Sequence, residues 1–186
     1  SRNLANQGKP RGAPSTVAIG FVTGMLAGIG RAGLNPDELL EHAGIAKSWM
    51  GDREARIPVA RYAALYRLIN ERLDDEGFAL FSHPLRRGSF ELLCRATLSA
   101  ATLEEALERV ARFLRVLLGD LSVELEAGRR SAVIVIAEEQ ALPVGAAGRV
   151  FAFEWLLRMI HGLAAWLVAH PLPLDEVRVM LACAVT

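Results

Sequence analysis

Leu121-Ser122-Val123-Glu124-Leu125-Glu126-Ala127, then Gly128-Arg129-Arg130-Ser131, then Ala132-Val133-Ile134-Val135-Ile136-Ala137: here the apolar period of the chain becomes two. Leu121, Val123, Leu125 and Ala127 alternate with Ser122, Glu124 and Glu126, which is the pattern of a half-buried strand, and the Gly-Arg-Arg turn returns the chain into a second apolar strand. The stretch is a hairpin. On its N-terminal side Thr102 and Glu105 form a capping box, and the helix they start turns Leu103, Ala106, Leu107, Val110, Leu114 and Leu117 inward. Its other face pairs Glu105 with Arg109 and Glu108 with Arg112 at i,i+4. On the C-terminal side a loop with Pro143 and Gly145 leads into a long, largely apolar helix, Arg149 to Ala169, and Val177 to Val185 reads as a third strand. Helices, hairpin, helix, strand is the order of an α+β domain, with an N-terminal helical part followed by a small antiparallel sheet packed against a long helix.

The helical part carries clear punctuation. Asn35 as N-cap, Pro36 at the first helical position, Glu38 at the third and Gly44 past the last turn bound a helix of two turns, and a short helix follows around Ser48. Pro58 opens a longer helix in which Val59, Tyr62, Tyr66, Ile69 and Leu73 repeat at helical spacing, and it ends in the acidic loop Asp74 to Gly77. Phe78 to Phe81 is a short apolar run; a loop through His83, Pro84, Arg86 and Arg87 then precedes a helix from Ser89 to Leu98. Further upstream, Val17 to Ile29 is uncharged and reads as a buried helix capped by Ser15 or Thr16, with Gly20, Gly24 and Gly28 on one face where another element can approach closely. Residues 1–14 are polar, with Leu4 the one large apolar side chain, and read as a flexible tail; the domain runs from 15 to 186.

Composition narrows the function. The chain has 186 residues, 52% hydrophobic, with 21 basic and 21 acidic side chains, so it is neither disordered nor charged enough to bind nucleic acid by itself. Nineteen of the 21 cations are arginine, which a general Ala-, Leu- and Gly-rich bias explains as well as selection for anion recognition does. Cys94 and Cys183 are too far apart for a metal or redox pair and read as reduced thiols of a cytoplasmic protein. The uncharged run Val17 to Ile29 falls short of the roughly 20 residues that a bilayer requires, so no membrane is expected.

Tests for specific chemistry are mostly negative. Gly28-Ile29-Gly30-Arg31-Ala32-Gly33 matches the dinucleotide fingerprint G-x-G-x-x-G, but no strand precedes it and a helix restarts at once at Asn35-Pro36, so no cofactor is expected. His42, His83, His161 and His170 share no ligand spacing, and Ser89 is better explained as a helix cap than as a nucleophile, so neither a metal site nor an enzyme is expected. On the long helix Glu154, Arg158 and His161 lie within about 60° of one another, with Trp155 and Trp166 on a neighbouring face. That stripe is either a narrow solvated edge, with Glu154 paired to Arg158, or the wall of a ligand pocket.

Ordered motifs carry a resemblance. Gly33-Leu34-Asn35-Pro36-Asp37-Glu38-Leu39-Leu40 with Ala43-Gly44-Ile45, then Ala55-Arg56-Ile57-Pro58-Val59-Ala60-Arg61-Tyr62, resemble the N-terminal effector-binding domain of AraC-type transcriptional regulators, in the arabinose-binding-domain-like branch. Gly88-Ser89-Phe90-Glu91-Leu92-Leu93, Thr102-Leu103-Glu104-Glu105-Ala106-Leu107 and His170-Pro171-Leu172-Pro173 follow in the family's order. The resemblance implies a bacterial sensor that binds a small-molecule effector, forms a homodimer and passes the bound state to a C-terminal helix-turn-helix DNA-binding domain. The chain stops at Thr186, before any such basic region, so DNA contact is expected only through that further domain. No motif selects the effector. On physical grounds the candidate pocket residues are Tyr62, Tyr66, Phe90, Trp155, Arg158 and His161, while Arg56 and Arg61 are expected to pair with Asp52, Glu54 or the acidic loop. The alternative function is a dimerisation module with no ligand of its own, in which the exposed apolar edge of the last strand or a helix pairs with its twin.

Overall fold

The computed structural model describes residues 15–128 and 131–178; the expected tail 1–14 and all but the first two residues of the expected third strand lie outside these. The chain divides into two units. The first comprises residues up to Arg87 together with Leu142–Ala152, and the second comprises Gly88–Ala141 with the chain from Phe153 onward.

In the first unit β1 (Thr16–Ala18) leads into α1 (Ile19–Leu26), then α2 (Pro36–His42), a 3-10 helix (Lys47–Gly51), β2 (Arg56–Pro58) and α3 (Val59–Leu73). β1 pairs antiparallel with β2, Val17 opposite Ile57. This corrects the expected single helix from Val17. The start of that run is extended because Arg56 reaches across to Thr16, its Nε donating to Oγ1 at 2.8 Å, and because the Ile19 N–H donates to Ala55 O at 2.9 Å. The cap of α1 is therefore Ala18, with no side-chain hydrogen bond, rather than Ser15 or Thr16.

Other elements follow their local signals. The Asn35 side chain accepts the Asp37 N–H at 3.0 Å, Pro36 occupies the first turn, and Gly44 leaves α2 with φ 68°. On α3 the fully buried positions are Leu65 and Ile69, whereas Val59 is 41% exposed, so the core face is rotated from the one expected. Around them close Ile19, Val22, Met25 and Ile29, Leu39 and Leu40, Ile57, and Phe78 to Phe81. Arg61 donates to Gly44 O and lies over the Trp49 ring at 5.3 Å; with Arg56 bound to Thr16, neither arginine takes the acidic partner expected of it.

Two glycines of the predicted small-residue face allow close approach. A Cβ on Gly24 would lie 2.3 Å from Phe151 Cβ, and one on Gly28 2.3 Å from Ala79 O; Gly20 has open space around it. Two of the three glycines of the fingerprint-like segment thus have a structural role. Gly28 admits a neighbouring backbone, Gly33 turns the chain at φ 79°, and Gly30 is in the open.

The second unit contains α4 (Ser89–Leu98), α5 (Leu103–Leu118), β3 (Leu121–Ala127) and β4 (Ala132–Glu138). The hairpin pairs Leu121 with Glu138 through to Ala127 with Ala132, and β3 packs on α5. α5 buries Ala106, Leu107, Val110, Leu114 and Leu118. Its capping box is formed as predicted: the Glu105 N–H donates to Thr102 Oγ1 at 3.1 Å, and Glu105 Oε2 accepts the Ala101 N–H at 2.8 Å. That backbone bond, seconded by Arg109, holds the Glu105 carboxyl below the usual carboxylate range. A lowered value means that the contribution is present above the ordinary glutamate pKa and is lost as the pH falls through the lowered one. Thr102→Ala is expected to cost about 1 kcal/mol, a fall of about 2–4 °C in Tm, measured by calorimetry at neutral pH.

α6 (Ala146–Leu167) begins in the first unit and continues into the second. In the first it buries Phe151 and Ala152, and in the second Leu156, Ile160, Leu163 and Ala164, at the 3.6-residue period of a core-facing helix. Among the described residues it is the one helix long and apolar enough to cross a membrane by length and composition. Core helices of soluble folds meet the same test.

Candidate ligand-binding site

The site is built from the loop that follows α3. Asp74 ends that helix in the left-handed conformation, φ 51°. Asp75, which is buried, then turns its carboxylate inward: Oδ1 accepts the N–H of Gly77 and of Leu85, each at 2.8 Å, and Oδ2 accepts that of Ala79 at 2.9 Å. Three backbone donors that the loop would otherwise strand are satisfied by one side chain. The Glu76 N–H donates to Leu85 O at 2.6 Å and closes the base of the loop.

Inside that closure Phe78 and Ala79 both take left-handed backbone angles, φ 58° and 54°. For residues with a Cβ this costs on the order of 1–2 kcal/mol each. The surroundings over-determine it. The Phe78 ring, fully buried, stands edge-on to Tyr66 at 4.8 Å and to Phe151 at 5.9 Å. Arg31 reaches the same loop from the segment after α1, and its Nη2 donates to Ala79 O at 2.6 Å and Phe81 O at 2.8 Å. Gly28, one turn earlier, lets the two backbones meet.

These elements line an open cavity of about 280 Å³ in the first unit. Arg31, Ala32 and Leu34 form one wall, Arg72 and Leu73 at the end of α3 a second, and Asp75, Ala79, Phe81, Ser82 and Pro84 the rest. This is near the lower end of the roughly 300–1,000 Å³ of small-molecule pockets, with mixed apolar and charged walls. Among the described residues no three His, Cys, Asp or Glu side chains gather as they would around a metal ion.

Compared with family models, residues 33–183 match the arabinose-binding domain of AraC transcription regulators, N-terminal. The chain belongs to that family. Comparison with curated proteins and with solved structures returns no match. The arabinose-binding-domain match spans both units, from the segment that lines the cavity to the chain beyond α6. It assigns the chain to a ligand-binding domain type of transcription regulation.

Within this arabinose-binding domain the six residues singled out from sequence fall in different places. Tyr62 and Tyr66 lie half-buried on α3 of the first unit, Tyr66 in the aromatic cluster with Phe78. The other four belong to the second unit. Phe90, 44% exposed, is in the first turn of α4; Trp155 is half-buried and Arg158 exposed on α6. The Nε2–H of His161 donates to Leu172 O at 2.9 Å and fastens the segment after α6 to the helix. None of the six lines the cavity, and the groups that do, Arg31, Arg72 and Asp75 foremost, escaped the sequence reading. The one available signal is Arg31 itself, a lone cation inside the fingerprint-like glycine segment.

Proposed function

We propose that the chain is the small-molecule-sensing part of a bacterial AraC-type regulator, and that its effector occupies the cavity between Arg31, Arg72 and the loop 75–84. The family match over residues 33–183 carries this reading, and the cavity, floored by a strained and tightly braced loop, supports it. In this reading the protein is a cytoplasmic binding protein rather than an enzyme. It acts as a homodimer, takes no cofactor, and transmits the bound state to a DNA-binding domain distinct from these 186 residues. The test is a thermal-shift screen of a metabolite library. A true effector whose Kd lies well below its concentration raises Tm, since at 100 times Kd it stabilises by about 2.7 kcal/mol. Ala32→Trp, which fills the cavity from its exposed rim, is expected to abolish that rise, and a ligand that shifts both proteins equally binds elsewhere.

A second reading, the ligand-free dimerisation module, is favoured by one observation. On β4 Val133 is 53% and Val135 40% exposed, on a strand whose pairing partner among the described residues is β3 alone. Residues 132–137 carry no charge that would oppose a second copy. Light scattering that shows a monomer at tens of micromolar protein counts against this reading.

A further inference from the structure

The charged groups around the cavity differ in how far the protein already uses them. Asp75, the one acid of the lining, has both carboxylate oxygens occupied by backbone N–H groups. Arg31 spends Nη2 on Ala79 O and Phe81 O, which fixes the plane of its guanidinium and leaves Nε and Nη1 without a partner among the described residues. Arg72, on the last turn of α3, makes no hydrogen bond or ion pair with any described residue. Two exposed arginines with donors to spare thus line a cleft whose one acid already accepts three backbone N–H bonds. Apart from Ser82, the rest of the lining, Leu34, Leu73, Phe81 and Pro84 foremost, is apolar. A neutral sugar would leave the arginine forks unmatched, and an inorganic anion would leave the apolar walls wet.

We infer that the cavity takes a small organic acid in its ionised form, its carboxylate received by the Arg72 fork beside the fixed Arg31 and its short apolar body lying against Leu34, Leu73 and Phe81. The inference rests on the sensing reading above and names the ligand's chemical class. Arg is suited to this task because its planar donors match a carboxylate at two points, and a charge-assisted pair discriminates against the isosteric amide.

The experiment is isothermal titration of the whole chain, at constant ionic strength, with butyrate, benzoate and succinate, with butyramide and benzamide as neutral isosteres, and with inorganic phosphate and L-arabinose. At least one acid is expected to bind about tenfold or more tightly than its amide. Arg72→Gln is expected to remove that preference, while Arg115→Gln, an exposed arginine likewise in the last turn of its helix, retains it. Arg72→Gln touches no internal bond, so an unchanged melting temperature shows that the loss comes from the site. Equal affinity for acid and amide, retention of the preference in Arg72→Gln, binding of phosphate as tight as that of the acids, or no acid binding at all overturns the inference. If L-arabinose or another neutral compound binds in a manner lost in Ala32→Trp, the sensing reading survives that failure. If nothing in the titrations or the metabolite library binds in that manner, both fall.

Discussion

Gly28→Ala is expected to destabilise the protein by about 3 kcal/mol, a loss of about 6–12 °C in Tm. The added Cβ would lie 2.3 Å from Ala79 O and 2.7 Å from Phe78 O. Both are main-chain atoms and cannot swing aside as a side-chain tip would. They also belong to the residues with left-handed backbone, so the displacement must break the Arg31 bonds or the Asp75 bonds that hold those angles. Gly20 is the internal control. It sits in α1 with nothing near its missing Cβ, and alanine there is expected to add about 0.5–1 kcal/mol by helix propensity. Calorimetry of the two variants side by side decides the matter; a Gly28→Ala protein that melts like the parent would mean that the loop is not braced as described.

Asp75→Ala is expected to cost about 3–5 kcal/mol, because it strands the N–H groups of Gly77, Ala79 and Leu85 in a buried loop. Asp75→Asn keeps one acceptor oxygen and the same shape. Its amide can still receive Gly77 and Leu85 but presents a donor to Ala79, so about 1–3 kcal/mol is expected. Denaturant midpoints for the two variants should fall in that order. The alanine variant is also expected to lose the Ala32→Trp-sensitive ligand response, since Ala79, Phe81 and Ser82 line the cavity. Equal midpoints for Asp75→Ala and the parent would show that water replaces the carboxylate at no cost.

What the sequence disclosed depended on whether the signal was local. Asn35-Pro36, Thr102 with Glu105, and the alternation from Leu121 are satisfied within a few residues, and α2, α5 and the hairpin appear where they indicate. β1 has no such signal. Its three residues become a strand through Arg56–Pro58, about 40 positions away, and the apolar run that contains them reads as helix. The cavity was hidden for the same reason. Positive φ at Phe78 and Ala79 has no glycine to announce it, being imposed by Arg31 and Asp75, and a cavity walled by irregular backbone leaves no periodic stripe to find. The aromatic and histidine candidates on α3 and α6 are visible because helices display their faces.

The two braces of the 75–85 loop differ in reach, and this sets an order of events in folding. Asp75 bonds to groups two, four and ten residues ahead, contacts that close quickly and at small entropic cost. Arg31 bonds across 48 and 50 residues, which requires the N-terminal segment already folded back on the chain. The Asp75 contacts are therefore expected to close before the Arg31 contacts, so that Arg31 acts as a late latch on a loop already drawn together at its base.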